Sequence, residues 1–232
     1  MIIAVISQSG IVLGADTRCM VGSSQKYVGY HDHARKIAIS PENSDAKMAC
    51  AFSCTSWYGH SESPISIPFF NRKRGLLAIH TDIEYRFKLT NEECPCLGSS
   101  ITSICAKYFD DMPNISFGDL GSEIKTKNRG FYSSPQIRDE NIDINNYFPD
   151  TQNAISFVKD RILEASKVNR CIGPEADIVI VNQSRIEWVQ GKERIIYPIK
   201  KKELLSKFKK REIEIVPLVD EYSLLKELED NY

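Results

Sequence analysis

A layered α+β domain is the fold class that this sequence predicts, on three observations. Residues 2–6 and 11–15 are two β-branched, apolar runs separated by Ser7-Gln8-Ser9-Gly10, a hairpin signal with a glycine at the turn. A second hairpin pattern, 36–40 and 47–53 around Pro41-Glu42-Asn43-Ser44-Asp45, precedes any helical periodicity. Four strands in two hairpins before the first helix argue for a layered α+β domain and against a doubly wound one. The third observation is a late run of helix, strand, turn and strand, between residues 150 and 189.

Nearly every position of 2–6 and 11–15 is apolar, so both strands are expected to be buried on both faces. Residues 19–34 are polar with two glycines and read as a loop or an edge excursion. Apolar residues recur at helical spacing from Phe69 through Leu76, Leu77, Ile79, Ile83 and Phe87; Asn71-Arg72-Lys73-Arg74 then reads as a solvated helix face. A second helix is expected from Gly98 or Ser99 through Ile101, Ile104, Cys105 and Tyr108 to Phe109, stopped by Asp111-Met112-Pro113. Residues 114–150 carry only short β-like pieces, near 115–117 and 130–132. Asp150-Thr151 offers a helix N-cap, and Ala154, Phe157, Val158, Ile162 and Ala165 share one helical face. That helix ends before Gly173-Pro174. Residues 177–181 form a buried strand, turned by Asn182-Gln183-Ser184 into 185–189.

Composition excludes several function classes. The 30 basic and 31 acidic residues nearly cancel, so no whole-molecule field draws the chain to nucleic acid or a membrane. Residues 1–6 are apolar without a basic lead-in and are not a signal peptide. No apolar run approaches the roughly 20 residues needed to span a bilayer. The seven cysteines, an odd number in a 26.4 kDa chain, read as reduced thiols of a cytoplasmic protein. Cys94-Pro95-Cys96 lacks a second pair or a nearby His to complete a zinc set, and His31-Asp32-His33 reads as solvated loop. No metal and no cofactor are implied.

From residue 191 the character changes. Lys200-Lys201-Lys202 and residues 207–211 bracket Leu204, Leu205 and Phe208, giving a basic amphipathic helix before an acidic, leucine-containing end. The division predicted is a domain over 1–190 and a C-terminal extension over 191–232, the latter a protein-binding arm. A nucleic-acid contact through 200–211 is the weaker reading.

Four pieces of the chain resemble the proteasome β-type subunits, in order and spacing. Gly10-Ile11-Val12-Leu13-Gly14-Ala15-Asp16-Thr17-Arg18 is similar to the family's second strand, an apolar run ending in Ala-Asp-(Ser/Thr)-Arg. Arg35-Lys36-Ile37 resembles the strand start that carries the family's lysine. Met48-Ala49-Cys50-Ala51-Phe52-Ser53 resembles the strand that follows, and the segment from Gly173-Pro174 to Val181 resembles the late Gly-Pro-x-x-Asp strand. The resemblance covers about residues 1–60 and 150–190. It implies an N-terminal-nucleophile (Ntn) hydrolase fold, a four-layer αββα sandwich, with a homo-oligomer or ring of partner subunits.

The resemblance also implies a chemistry. In that family a Thr, Ser or Cys at the mature N-terminus attacks a carbonyl, and its own α-amine, titrating near pH 8, takes the proton. Asp16 and Lys36 match the family's catalytic Asp and Lys. The nucleophile position, counted back from Asp16, falls one residue before Met1; neither the Met1 thioether nor Ile2 can replace it. The family's supporting Asp and Ser align with Asn169 and Ile172, and its oxyanion glycine with Ser53 or Cys54. Cys54 beside Lys36 is a substitute nucleophile to consider. The bland reading of Asp16 and Lys36 is a buried ion pair tying the two hairpins together, whose disruption costs on the order of 3–5 kcal/mol. The expected function is a non-catalytic proteasome-like subunit acting by assembly or partner binding. The rival is an active peptidase whose nucleophile is exposed by cleavage upstream of Met1.

Overall fold

A computed structural model describes residues 1–23, 26–40, 47–53, 102–109, 111–119, 125–135, 148–193, 195–196 and 201–229. The expected hairpin forms from β1 (Ile2–Ser7) and β2 (Gly10–Asp16). They pair antiparallel from Ile2↔Ala15 to Ser7↔Gly10, and every residue of both is buried. The cause is a neighbour on each face. Ile2, Ala4, Ile6, Ile11, Leu13 and Ala15 point into one apolar cluster, and Ile3, Val5 and Val12 into another, as the two-residue period of a strand requires.

The first cluster lies between two sheets. The hairpin joins β11 (Phe131–Ser134), β12 (Ala176–Val181) and β13 (Ile186–Gln190) in a five-stranded sheet of order β11-β1-β2-β12-β13. Facing it is a second sheet built from β6 (Ile37–Ile39), β7 (Met48–Ser53), β8 (Thr102–Phe109), β9 (Met112–Asp119) and β10 (Lys125–Lys127), ordered β10-β9-β8-β7-β6. It supplies Ile37, Ala49, Ala51, Ile104, Ala106, Ile115 and Phe117 to the shared core. Each fully buried Leu or Ile side chain there contributes roughly 1.5–3 kcal/mol relative to exposure.

The second cluster lies under helix α1 (Thr151–Val168), which packs Ala154, Ile155, Val158 and Ile162 onto the first sheet. Asp150 caps it as the sequence predicts, accepting from Asn153 N at 2.7 Å, and Asn169 ends it. Gly14 makes this approach possible, because an added Cβ would collide with Val158. Helix, sheet and sheet are thus three stacked layers. The helix expected over 69–89 lies outside the described residues, as do Cys54 and the Cys94-Pro95-Cys96 turn.

Four expectations need correction. Residues 102–109 form strand β8, not a helix. Ile101, Ile104, Cys105 and Tyr108 do fall at helical spacing, but Ile104, Ala106 and Tyr108 also alternate, and these three meet the core. Asp111, expected to stop a helix, instead adopts φ 64 and turns β8 back into β9, a conformation that Asp tolerates better than most residues. Residues 19–34 are mainly the hairpin β3 (Cys19–Ser23) and β4 (Lys26–His31), followed by β5 (Ala34–Arg35). His31, placed in a solvated loop by the sequence, is 1% exposed. The cysteines are not all reduced: Cys50 and Cys105 stand opposite each other across β7 and β8 and are joined as a disulfide, while Cys19 and Cys171 are outside any disulfide.

The chain beyond residue 190 folds back on the β3–β4 hairpin. Gly191 adopts φ 92, and a Cβ there would collide with the Asp177 carboxylate, so the turn out of β13 requires glycine. Strand β14 (Ile195–Ile196) runs parallel to β5. Helix α2 (Lys201–Lys209), strand β15 (Val216–Pro217) and helix α3 (Glu221–Glu229) follow, with β15 extending β4 in the order β15-β4-β3. Leu204, Ile213, Ile215, Leu224 and Leu228 bury Cys19, Val21, Val28 and Ala34 in a third apolar cluster, with Leu205 and Phe208 packed beside it. The apolar face of the basic helix is therefore covered by the chain itself. Among the described residues no helix is long and apolar enough to cross a membrane.

Candidate active site

Asp16, the last residue of β2, is fully buried and accepts four donors from separate parts of the chain. The Met1 amine nitrogen and Lys36 Nζ, the latter at 2.8 Å, meet Oδ1. The amides of Arg18 and Gly173, each at 3.0 Å, meet Oδ2. Topology explains the convergence. Met1 lies opposite the end of β2 in the hairpin, Lys36 follows β5, and Gly173 lies in the turn between α1 and β12. Burial pushes the Asp16 carboxyl pKa up. Lys36, the Met1 amine and the Gly173 N–H outweigh that effect and hold it at about 2. The group is a fixed anion with its lone pairs fully engaged.

A second ion pair adjoins it. Arg18 Nε and Nη2 donate to the two oxygens of Asp32 at 2.8 Å each, and Nη1 donates to the Arg170 carbonyl at 3.1 Å. The Tyr30 ring lies 3.9 Å from the guanidinium carbon. Hydrogen bonding to Asp32 raises the Arg18 pKa further. His31 is held neutral: burial, then His33, lowers its pKa to about 4, and Nδ1 accepts the His33 N–H at 3.3 Å.

The structure brings Asp16 and Lys36 together as the sequence predicts. Of the positions aligned with supporting residues, Asn169 accepts from the Cys171 amide at 2.9 Å and Ile172 is buried under α1. Ser53 ends β7. Ser7, Gly10 and the hairpin turn lie at the opposite end of β1 and β2 from Asp16. Sequence reasoning missed Arg18 as a side-chain donor, although it stands inside the quoted motif. It also missed Asp32, whose only signal was a carboxylate in the segment that returns from the hairpin to Lys36. Among the described residues no group of His, Cys, Asp and Glu is placed to hold a metal ion.

The chain thus has stacked antiparallel sheets with an outer helix, and a buried carboxylate–lysine pair at the open end of the first hairpin. No family model and no curated protein matches the chain. Solved structures do match. The chain is similar to Anbu, the ancestral beta-subunit, from Yersinia bercovieri, with a TM-score of 0.57 and 10% identity over 83% of this chain and 88% of that one. It is also similar to Anbu from Hyphomicrobium sp. strain MC1, with a TM-score of 0.54 and 11% identity over 99% and 93% of the two chains. At these identities the likeness is one of fold.

Proposed function

We propose that the protein is a proteasome-like subunit that works by assembly and partner binding, with the complete four-layer αββα sandwich of that family. On this reading the Asp16–Lys36 pair is structural, a buried carboxylate that ties together the first hairpin, Lys36 and the turn at Gly173. The observation that carries this reading is the content of the site itself. The Met1 nitrogen occupies the position beside Asp16, and Met1 brings a thioether packed among Ile3, Ile172 and Ile178 in place of a hydroxyl or thiol. An amine without a hydroxyl or thiol beside it has no nucleophile to deprotonate. The carboxylate still has work to do, since it joins four segments of the fold.

The rival, a peptidase whose nucleophile is exposed by cleavage upstream of Met1, draws support from the Lys36–Asp16 contact at 2.8 Å. Intact mass and N-terminal sequencing of protein from its own host, after incubation with an epoxyketone directed at N-terminal threonine, separates the two. A chain beginning at Met1 with no adduct is expected. An extra Thr, Ser or Cys carrying the adduct would overturn the proposal. The partner surface lies on 191–232, on the outer sides of α2, β15 and α3, because their inner sides are occupied. The cytoplasmic expectation loses its basis in seven reduced thiols once Cys50 and Cys105 are joined.

A further inference from the structure

We propose that Asp32 is a positioning residue of the Asp16 centre, acting through Arg18 to hold the turn at 169–173 against the carboxylate. The proposal rests on reading Asp16 as the carboxylate that joins separate segments of the fold, and it holds whether or not a nucleophile is present.

Arg18 meets this turn and Asp16 with different parts of itself. Its main-chain N–H is on Asp16 Oδ2, while its side-chain Nη1 is on the Arg170 carbonyl. The same turn sends the Gly173 N–H back to Asp16 Oδ2. The ring of contacts closes only while the guanidinium stays in place, and what keeps it there is the two-pronged pair with Asp32, backed by the Tyr30 ring. A planar fork meeting a carboxylate at two points fixes orientation as well as distance.

The packing agrees. A Cβ added to Gly173 would lie 3.0 Å from both Arg18 Cβ and Asp32 Oδ1, and 3.1 Å from Arg18 N. Asp32 and Arg18 thus form the wall against which the turn rests, with room for a hydrogen and nothing larger. Neither side chain of the pair is deeply buried, at 12% and 29% exposure, so the pair is a minor contributor to global stability. The hairpin that carries Arg18 and Asp32 at its two ends has independent support from the third apolar cluster. Loss of the pair is therefore expected to free the turn without unfolding the hairpin.

The test uses the full chain with Asp32→Asn, which keeps the shape and removes the charge. Two quantities are read: hydrogen exchange of the Gly173 amide relative to the Leu13 amide in β2, and the titration of the Asp16 carboxyl carbon by NMR. The proposal expects Gly173 to exchange at least ten-fold faster relative to Leu13 in Asp32→Asn. Arg18→Lys keeps the charge but cannot fork, and it is expected to give the same acceleration and to raise the Asp16 midpoint from about 2. It also carries the test if Asp32→Asn does not fold. Unchanged Gly173 exchange in a folded variant would overturn the proposal, and so would equal acceleration of Gly173 and Leu13, which marks a merely structural pair. The epoxyketone result has no bearing on either readout, so failure here is distinct from failure of the functional reading.

Discussion

The amide of Gly173 donates to Oδ2 of Asp16 at 3.0 Å across 157 residues of sequence. A turn that follows the last long helix of the sandwich thereby shares one carboxylate with the first hairpin. Asp16→Asn leaves the geometry nearly intact but removes the anion opposite Lys36 and the Met1 amine. It is expected to destabilise the protein by about 3–5 kcal/mol in urea unfolding at pH 7, as for a buried pair losing one member. A loss below about 1 kcal/mol would mean that the pair does not hold the fold.

Stability is expected to fall in two steps on acidification. The folded-state pKa of His31 is depressed from 6.5 to about 4. Its contribution is thus present above pH 6.5 and is lost as pH falls through 6.5 to 4, where the unfolded chain binds the extra proton. The size is about 3 kcal/mol. Asp16, depressed from 3.8 to about 2, has the same sign over the lower window and contributes about 2 kcal/mol. His31→Gln should flatten the first step and leave the second, in urea midpoints measured between pH 7 and 2.

The Cys50–Cys105 bond closes a loop of 55 residues in sequence. The chain-entropy model gives about 4 kcal/mol for that length as an upper figure. Peptide mapping without reductant should recover the linked pair, and dithiothreitol should lower the urea midpoint. Seven titratable thiols in the untreated, denatured protein would count against the bond.

Much of the fold was legible in the residues, and the failures have identifiable causes. β1 and β2 could be read because a run of apolar β-branched residues too short for a helix has few alternatives, and α1 because its cap and apolar stripe agree. β8 was misread because Ile101, Ile104, Cys105 and Tyr108 satisfy the helical period while Ile104, Ala106 and Tyr108 satisfy the strand period. Only the facing sheet decides between them. Asp16 and Lys36 were legible through the resemblance of their motifs to those of the proteasome β-type subunits. Asp32 and His31 were not, because polar residues in a glycine-rich stretch look solvated until the chain beyond 191 is seen to cover the hairpin.

That cover is testable from either side. Leu224→Ala removes a side chain that is 1% exposed and is expected to cost about 2–5 kcal/mol. Gly29→Ala acts on the opposing strand, where a Cβ would lie 2.9 Å from the Val216 carbonyl and 3.0 Å from Ile215. Limited proteolysis of either variant should cut within 191–229 before it cuts β1, β2 or α1. Uniform cutting along the chain would contradict an appended layer.

The basic helix α2 is expected to be a poor ligand for polyanions. Lys207 reaches Glu212 at 3.4 Å and Lys209 reaches Glu229 at 2.8 Å, so part of its charge is answered within the chain. Binding to RNA or DNA, followed by fluorescence anisotropy at low salt, should be absent. A strong, salt-sensitive affinity would revive the nucleic-acid reading.

The total burial of β1 and β2 has a consequence for how the chain finds its native pairing. Most hairpins reject a one-residue slip because it turns polar side chains inward. Here both faces are apolar, so hydrophobicity alone barely penalises the shifted ladder. Selection must come from shape and from the ends: the notch at Gly14 that admits Val158, the Ser7 hydroxyl on the Gly10 carbonyl, and Asp16 with its amide on the Met1 carbonyl. On that view the buried carboxylate acts as a proofreader of strand alignment, since a slipped β2 would carry it away from Lys36 and Gly173 together.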